Sequence, residues 1–190
     1  SVRPLRLAHE AHNKALAAVT AALKAARCKT QRVYRARLKG EHCRGRLLVS
    51  VGGDGTLLDA SHKVCADEAD GGAAVGVNSD TARSTGFLCA ANAASFAGVL
   101  DDILSKKLQP TPVRRLMGNI DGKPLPFPVL NDLLISDKNA AATSKYLVGH
   151  KGIVEDHKSS GVWVCTATGS TAAMSSAGGL IQDLDDQRLH

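Results

Sequence analysis

Apolar residues follow two different periods along the first half of the chain. They recur at helical spacing over residues 8–28, over 56–65 and, most regularly, over 92–107, which predicts three helices. Two short runs, RLLVSV at 46–51 and AAVGVN at 73–78, are almost continuously apolar. Such runs are typical of buried parallel strands. The first half of the chain therefore predicts an α/β unit.

Two segments between these elements have no regular period. Residues 29–45 are predicted as a loop or irregular strand, and residues 67–72 as a turn. The third helix has the clearest inward face, which is predicted to comprise Phe96, Val99, Leu100, Ile103 and Leu104.

The pattern changes after residues 109–112, QPTP. Residues 113–136 predict a strand, an Asp-Gly turn and a returning strand, and residues 144–167 continue as short strands with glycine turns. A helix is expected to begin near Ser170. We place a boundary near residues 108–112 and expect a mostly β second unit. Both units are expected to be incomplete, because no strand precedes the first helix and no closing strand ends the chain.

The composition favours some classes of binding partner and argues against others. Of 190 residues, 44% are hydrophobic and 22% charged, which is typical of a globular chain, and the 3% of aromatics predict an aliphatic core. The formal charge of +6 favours anionic partners, with basic residues concentrated between 24 and 46. Few aromatics lie there to stack on bases, which argues against nucleic acid. No apolar stretch approaches the ~20 residues of a membrane span.

The cysteines and histidines favour no metal site. The five cysteines are widely spaced without a C-x-x-C pair, which argues against disulfides and zinc and for a reducing compartment. The cytoplasm is the predicted location, and a peroxisome or another organelle stays open because the termini look cut. His150 and His157, near Glu155 and Asp156, are interpreted as part of a solvated loop rather than metal ligands.

A glycine turn carries the first candidate chemistry. The stretch VSVGGDGT places Gly52, Gly53, Asp54 and Gly55 between a predicted strand and a predicted helix. Glycines at positive φ and a helix N-terminus can together bind phosphate through main-chain N–H groups. A carboxylate in such a turn is useful if it accepts the proton of a hydroxyl nucleophile or orients Mg²⁺. The alternative is that Asp54 only caps the helix.

Three later stretches add polar groups. VGVNSDTARSTGFL, residues 75–88, is a strand followed by a polar turn, and VLNDLLIS places Asn131 and Asp132 inside an apolar strand. A buried Asn-Asp pair is costly unless it has partners, so it is expected to face a ligand, a hairpin edge being the alternative. TATGSTAA, residues 166–173, offers several hydroxyls near a helix start, which suits either capping or hydrogen bonds to sugar and phosphate.

In this order, the motifs resemble the NAD kinase family, whose members phosphorylate NAD(H) with ATP to give NADP(H). The resemblance covers roughly residues 46–180. The GGDGT stretch alone is shared with diacylglycerol and sphingosine kinases. The set is more specific: GGDGT, then NSD…STGFL, then Asn-Asp, then T-x-T-G-S-T-A followed by S-A-G-G.

This resemblance implies a Rossmann-like α/β domain over residues 1–110 and a β-rich dinucleotide-binding domain over residues 111–190. It implies transfer of the γ-phosphoryl group of ATP to the 2′-hydroxyl of the adenosine ribose, assisted by Mg²⁺. Asp54 would be the general base. The other residues expected to contact nucleotides are Gly52, Gly53, Gly55, Thr56, Asn78, Phe87, Asn131, Asp132, Thr166, Thr168, Ser170, Thr171, Ala172, Ala173 and Ser176.

The implied roles of these residues differ. Gly52 and Gly53 would line the triphosphate, Gly55 would lie on the dinucleotide, and Phe87 would pack near a nucleoside. Asn131 and Asp132 would hydrogen-bond the dinucleotide. The last motif divides into an adenosine pocket of Thr171, Ala172, Ala173 and Ser176 and a polar approach of Thr166, Thr168 and Ser170.

Three departures from the family pattern concern the substrate. Ala167 stands where most members have proline, Ala173 where they have tyrosine, and Ser160 where they have aspartate. Loss of that carboxylate matters more for a cationic oxidised nicotinamide than for the neutral reduced ring. A similar run in plant NADH kinases also favours NADH as the preferred substrate. A homodimer or homotetramer is expected from the family. The alternatives are a lipid kinase and a non-catalytic nucleotide-binding relative.

Overall fold

The structure is a computed structural model that describes residues 3–64, 72–139, 141–186 and 188. The chain divides into two compact units, residues 1–111 and residues 112–190. The turn predicted over residues 67–72 lies outside the described residues apart from Gly72. No helix in the described part of the chain combines the length and the apolar character that crossing a membrane requires.

The first unit is built on a parallel sheet. Its strands are β1 (Leu47–Gly52), β2 (Ala73–Asn78) and the short β3 (Ala91–Asn92), in that order across the sheet. The register of β1 on β2 runs from Leu47 opposite Ala73 to Gly52 opposite Asn78, so both strands end at the same edge. The two predicted strands are confirmed.

Three helices surround this sheet: α1 (Arg3–Ala25), α2 (Asp54–Ser61) and α3 (Phe96–Leu104). The basic segment between α1 and β1 is a loop with two 3₁₀ turns, Arg35–Arg37 and Gly40–His42. The core comprises Val19, Val75, Val77, Ala91, Phe96 and Leu100.

The sheet is covered on both faces. Val75 and Val77 point into the core with α1 and α3, whereas Gly76 between them faces the opposite way. A Cβ on Gly76 would lie 2.9 Å from the Leu57 side chain of α2. Burying one large aliphatic side chain contributes on the order of 1.5–3 kcal/mol. Packing on both sides therefore explains why the strands have continuous apolar runs.

The boundaries of α3 differ from the prediction. The Asn92 side chain accepts hydrogen bonds from the main-chain N–H groups of Ala94 and Ser95, at 2.9 and 3.1 Å. This Asx turn delays the helix until Phe96. The inward orientation predicted for Leu104 is wrong: it is 53% exposed, because it is the last residue of the helix.

The second unit consists of antiparallel pairs. In the first hairpin, β4 (Asn119–Ile120) and β5 (Lys123–Pro124) are joined by the predicted Asp-Gly turn, in which Asp121 and Gly122 have φ of 51° and 75°. Such values fit a type I′ turn. The remaining strands are β6 (Asp132–Ile135), β7 (Ser144–His150), β8 (Ile153–Ser159) and β9 (Val162–Cys165), with β6 paired to β9 and β7 to β8.

Two segments of the second unit differ from the prediction. A helix does begin near Ser170, but it is short and interrupted: a 3₁₀ turn, Thr168–Thr171, is followed by the single turn α4 (Ala173–Ser176). Ala172 separates the two because its φ and ψ of −101° and −125° are not helical. The histidine-bearing segment at 150–157 is not a loop, because it belongs to the β7–β8 hairpin.

Candidate active site

The GGDG turn connects the carboxyl end of β1 to the first turn of α2. Gly53 is the N-cap residue with an extended conformation, φ −97° and ψ −172°, and Asp54 is the first helical residue. The prediction that the turn glycines adopt positive φ is wrong, because the structure gives Gly52, Gly53 and Gly55 no such value.

Close packing explains two of these glycines. A Cβ on Gly52 would overlap the Thr56 side chain, and one on Gly53 would lie 3.1 Å from the Ser84 hydroxyl. A Cβ on Gly55 would meet nothing within 4 Å. Glycine is thus required at position 52, and at position 53 a side chain would need a small shift of Ser84, whereas the fold leaves Gly55 free to be substituted.

The carboxylate of Asp54 reaches across to a different loop. Its Oδ2 accepts a hydrogen bond from the main-chain N–H of Phe87 at 2.9 Å, and its Oδ1 accepts one from Leu88 at 2.8 Å. The first N–H groups of α2, those of Thr56 and Leu57, bond to the Gly53 carbonyl instead. The interpretation of Asp54 as a simple helix cap is therefore wrong.

The loop that supplies these N–H groups begins at the end of β2. Asn78 is 5% exposed; its Nδ2 donates to the Ser84 carbonyl at 2.9 Å and its Oδ1 accepts the N–H of Asp80 at 3.0 Å. Arg83 pairs with the Asp80 carboxylate at 2.7 Å. The Asn78 amide is therefore engaged in folding the loop.

A second link joins this loop to the glycine turn. The main-chain N–H of Ser79 donates to the Gly52 carbonyl at 3.1 Å, and the Ser79 hydroxyl lies 3.4 Å from Nδ1 of His12 on α1. The ends of β1 and β2 are thereby held together. This is the edge of a parallel sheet at which ligands bind in open α/β folds.

A shallow cavity of about 160 Å³ opens beside the loop; its lining residues are Asn78, Thr81, Thr85, Cys89, Ala90, Ala91, Asn92 and Ser95. The Phe87 side chain is 63% exposed. An exposed aromatic ring offers a surface on which a planar ligand group can stack.

Sequence reasoning missed Cys89. Its Sγ lies 3.8 Å from Asp54 Oδ1, and its side chain lines the cavity. Burial, the negative charge of Asp54 and their hydrogen bond together raise the pKa of Cys89 to about 11. Its position directly after the GFL motif is a signal that could have identified it.

In the second unit, Asn131 and Asp132 form a pair at the start of β6. Asn131 precedes the strand and its Nδ2 donates to Asp132 Oδ2 at 3.0 Å. Both side chains are half-buried, and burial raises the pKa of Asp132. The main-chain carbonyl of Asn131 accepts the N–H of Thr166, and a Cβ on Gly169 would overlap that carbonyl. The Asn-Asp pair and the T-x-T-G-S-T-A motif are therefore in contact.

The hydroxyls of that motif are mostly engaged internally. Thr166, 2% exposed, donates to the Leu130 carbonyl. Ser170, 0% exposed, donates to the Ala167 carbonyl at 2.7 Å and accepts the N–H of Gln182 at 2.9 Å. Thr168 is also buried. The more accessible residues of the motif are Thr171, Ala172, Ala173 and Ser176.

Comparison with known proteins places these features in a family. No protein-family model matches the chain. A probable NADH kinase of Oryza sativa is 38% identical over 163 residues, which cover 75% of this chain and 49% of the relative. An NADH kinase of Arabidopsis thaliana is 39% identical over 168 residues, with coverage of 73% and 49%. The chain thus spans about half the length of these relatives.

Solved structures show a similar fold. An NAD kinase from Archaeoglobus fulgidus in complex with ATP superposes with a TM-score of 0.68 and 22% identity, covering 88% of this chain and 63% of that one. Yeast NADH kinase complexed with NADH gives a TM-score of 0.64 and 23% identity, covering 75% and 40%. By sequence identity to the plant relatives, and with this mixed α/β fold, the chain belongs to the NAD kinase family.

Proposed function

We propose that the protein catalyses the ATP-dependent phosphorylation of NADH or NAD⁺ to NADPH or NADP⁺. The names of the plant relatives support a dinucleotide substrate rather than a lipid. The structural neighbours that hold ATP and NADH support the two nucleotides as substrates. The observation that carries the chemistry is the Asp54 carboxylate, fixed at the carboxyl end of β1 by two main-chain N–H groups.

In this proposal Asp54 is the general base. Its carboxylate takes the proton from the 2′-hydroxyl of the adenosine ribose while that oxygen forms a bond to the γ-phosphorus of ATP. The bond from this phosphorus to the bridging β,γ-oxygen breaks, and ADP leaves with the electron pair. A carboxylate already held by amides loses little freedom on reaction, so positioning supplies much of the rate.

Around Asp54, main-chain groups bind phosphate. We assign Gly52 and Gly53 to the triphosphate of ATP, where the N-terminus of α2 adds a positive dipole end. Thr56 contacts the nucleotide through its side chain in this proposal, because its N–H bonds to the Gly53 carbonyl. Gly55 contacts the dinucleotide, which is consistent with the open space over its Cα. Phe87 offers its exposed ring to a nucleoside.

The second unit supplies the adenosine contacts in this proposal. Asn131 and Asp132 hydrogen-bond the dinucleotide, through a ribose diol or an adenine amine. Because Thr166, Thr168 and Ser170 are buried, we assign them to holding the motif in shape rather than to direct contact. The residues proposed to line the adenosine pocket are Thr171, Ala172, Ala173 and Ser176.

In this proposal Mg²⁺ is bound to the phosphates of ATP. Among the described residues no group of three or more His, Cys, Asp or Glu side chains is placed to hold a metal ion. Mg²⁺ is commonly held by substrate phosphates and only one or two carboxylates. We therefore treat the ion as part of MgATP and derive no step of the protein through it.

We further propose NADH as the preferred acceptor, since Ser160 replaces a family carboxylate and leaves no negative side chain at that position for an oxidised nicotinamide. The measurement is kcat/KM for NADH and NAD⁺ with saturating ATP in the full-length protein. A higher value for NAD⁺ contradicts the preference but leaves the kinase activity standing.

The finer assignments of architecture, assembly and location are also proposals. We propose a Rossmann-like domain over residues 1–110, a dinucleotide-binding β domain over 111–190, a homodimer or homotetramer, and a cytoplasmic location. Light scattering of the full-length protein tests the assembly. A fluorescent fusion in cells tests the location.

The decisive test of the function is Asp54→Asn in the full-length protein. We expect turnover to fall by at least ~10²-fold with the fold retained, because the general base is lost. Asp59→Asn is the matched control: Asp59 is on the same helix but exposed, in an ion pair of 3.3 Å with Arg35. If Asp54→Asn keeps near-normal turnover while the parent is active, Asp54 is not the base.

A further inference from the structure

The two N–H groups that hold the Asp54 carboxylate depend on one backbone conformation. Gly86, directly before Phe87 and Leu88, is in the left-handed region with φ of 62°. A left-handed residue beside ordinary ones turns successive N–H groups toward one side, which forms a small anion-binding concavity. The carboxylate of Asp54 occupies that concavity, with one oxygen on each N–H.

The side chain of Asn78 lies directly over Gly86. A Cβ on Gly86 would be 2.7 Å from Cγ and 2.8 Å from Cβ of Asn78, and would overlap its Nδ2. No flexible end can move aside, because the Asn78 amide is fixed at both ends by Ser84 and Asp80. Position 86 therefore requires glycine for two reasons: its positive φ and the packed amide above it.

We propose that Gly86 and Asn78 are positioning residues for Asp54, since together they aim the Phe87 and Leu88 N–H groups at its carboxylate. This inference rests on the proposed function of Asp54. Both residues act through the loop in this proposal: Asn78 lies at the edge of the cavity but its amide is engaged within the loop, and Gly86 is buried beneath it. Asn78 was expected to bind a nucleotide; here it acts through the loop that orients the base.

The test compares two glycine substitutions with nearly equal backbone cost. Gly86→Ala introduces both strain and the collision with Asn78. Gly45→Ala is the matched control, because Gly45 lies in the same unit at φ of 59° with nothing within 4 Å of its Cβ position. Asn78→Ala and the double variant Asn78→Ala/Gly86→Ala complete the set. All are made in the full-length protein.

We expect Gly86→Ala to lower kcat by roughly 10-fold to 10²-fold, as for a displaced catalytic group. KM for ATP and for the dinucleotide changes by less than about 3-fold, because the lost interactions act on the reacting geometry. Gly45→Ala stays within about 2-fold of the parent in both constants. Because both residues act through the same two N–H groups, the double variant should lose little more turnover than Gly86→Ala alone, and Asn78→Ala by itself should lower kcat in the same direction.

A second measurement does not need activity. Hydrogen exchange at the main-chain amides of Phe87 and Leu88 is expected to be at least about 10-fold faster in Gly86→Ala, which displaces both donors. In Asp54→Asn at least one of the two amides should exchange faster, because one accepting oxygen is replaced by an NH₂ group. Amides of β1 and β2 keep the parent rates if the fold is intact. If Gly86→Ala does not fold, Asn78→Ala carries both readouts, since it adds no strain at position 86.

The outcomes separate the two hypotheses. Unchanged kcat in a folded Gly86→Ala variant, or a loss confined to KM, overturns the positioning role while Asp54 stands. An equal loss of kcat in Gly45→Ala also overturns it, because strain alone then accounts for the effect. Retained turnover in Asp54→Asn overturns the proposed function instead.

Discussion

The thiol of Cys89 lies 3.8 Å from Oδ1 of Asp54, the same oxygen that accepts the Leu88 N–H. The carboxylate therefore has a sulfur neighbour as well as two amide donors. Burial is the largest cause of the rise in the pKa of Cys89 to about 11. The negative charge of Asp54 and the hydrogen bond to its carboxylate raise this pKa further. The thiol is thus protonated at neutral pH, when it can donate to the carboxylate.

This relationship predicts slow alkylation of Cys89. Because the thiolate is the reactive form, its rate with iodoacetamide should keep rising up to about pH 11. Asp54→Asn removes the charge, lowers the pKa of Cys89 and speeds the reaction several-fold at about pH 8. Mass spectrometry of the Cys89 peptide measures both rates. A rate that levels off near pH 9, the ordinary thiol value, contradicts the prediction.

The glycines of the GGDG turn predict opposite effects of two alanine substitutions. Gly52→Ala forces a Cβ into the Thr56 side chain and should lower the free energy of unfolding by ~1–3 kcal/mol. Gly55→Ala meets open space in the first turn of α2 and should leave that free energy unchanged or raise it by ~0.5–1 kcal/mol.

Kinase activity provides a second test of Gly55→Ala. Gly55→Ala should lower kcat/KM for the dinucleotide despite its stable fold, because we propose that the substrate lies over this position. Urea unfolding measures the stability, and steady-state kinetics in the full-length protein measure the activity. Full activity of Gly55→Ala removes Gly55 from the dinucleotide site, and equal stability of the two variants contradicts the packing argument.

The sequence was sufficient to predict the local elements around Asp54. The apolar runs of β1 and β2 and the glycine turn between strand and helix depend only on neighbouring residues, and the structure agrees with them. The carboxylate's partners could not be predicted in this way. Phe87 and Leu88 are 33 and 34 positions away along the chain, and no short-range pattern encodes a hydrogen bond of that separation.

The burial of individual side chains could not be predicted from the local sequence either. Thr166 and Ser170 look like surface hydroxyls in a small, polar motif, but both are buried by the Asn131 turn and the segment at Gln182. The reverse holds for Leu104. Its spacing in the helix predicted a buried side chain, but it is exposed at the end of α3. Periodicity predicts the face of an element, whereas burial depends on which other elements cover it.

The buried hydroxyl of Ser170 predicts a large effect of a small change. Ser170→Ala leaves the N–H of Gln182 without its acceptor in a buried environment. We expect a loss of ~1–3 kcal/mol in the free energy of unfolding. Ser176→Ala is the control, because that hydroxyl is exposed, and it should change stability by no more than ~0.5 kcal/mol. Equal effects in denaturant titrations would show that Ser170 does not anchor the segment.

The half-buried carboxyl of Asp132 predicts a pH-dependent effect on stability. Because burial raises the pKa of Asp132 above 3.8, the folded protein holds this proton to a higher pH than the unfolded chain. The group therefore favours folding below the unfolded pKa, and that contribution is lost as pH rises through the folded pKa. The Asp132→Asn side chain cannot ionise. The stability of this variant minus that of the parent should therefore be larger at about pH 7 than at about pH 3.5.

Urea midpoints at both pH values measure this difference, with the exposed Asp183→Asn as control. A relative stability of Asp132→Asn that falls with rising pH contradicts the burial argument.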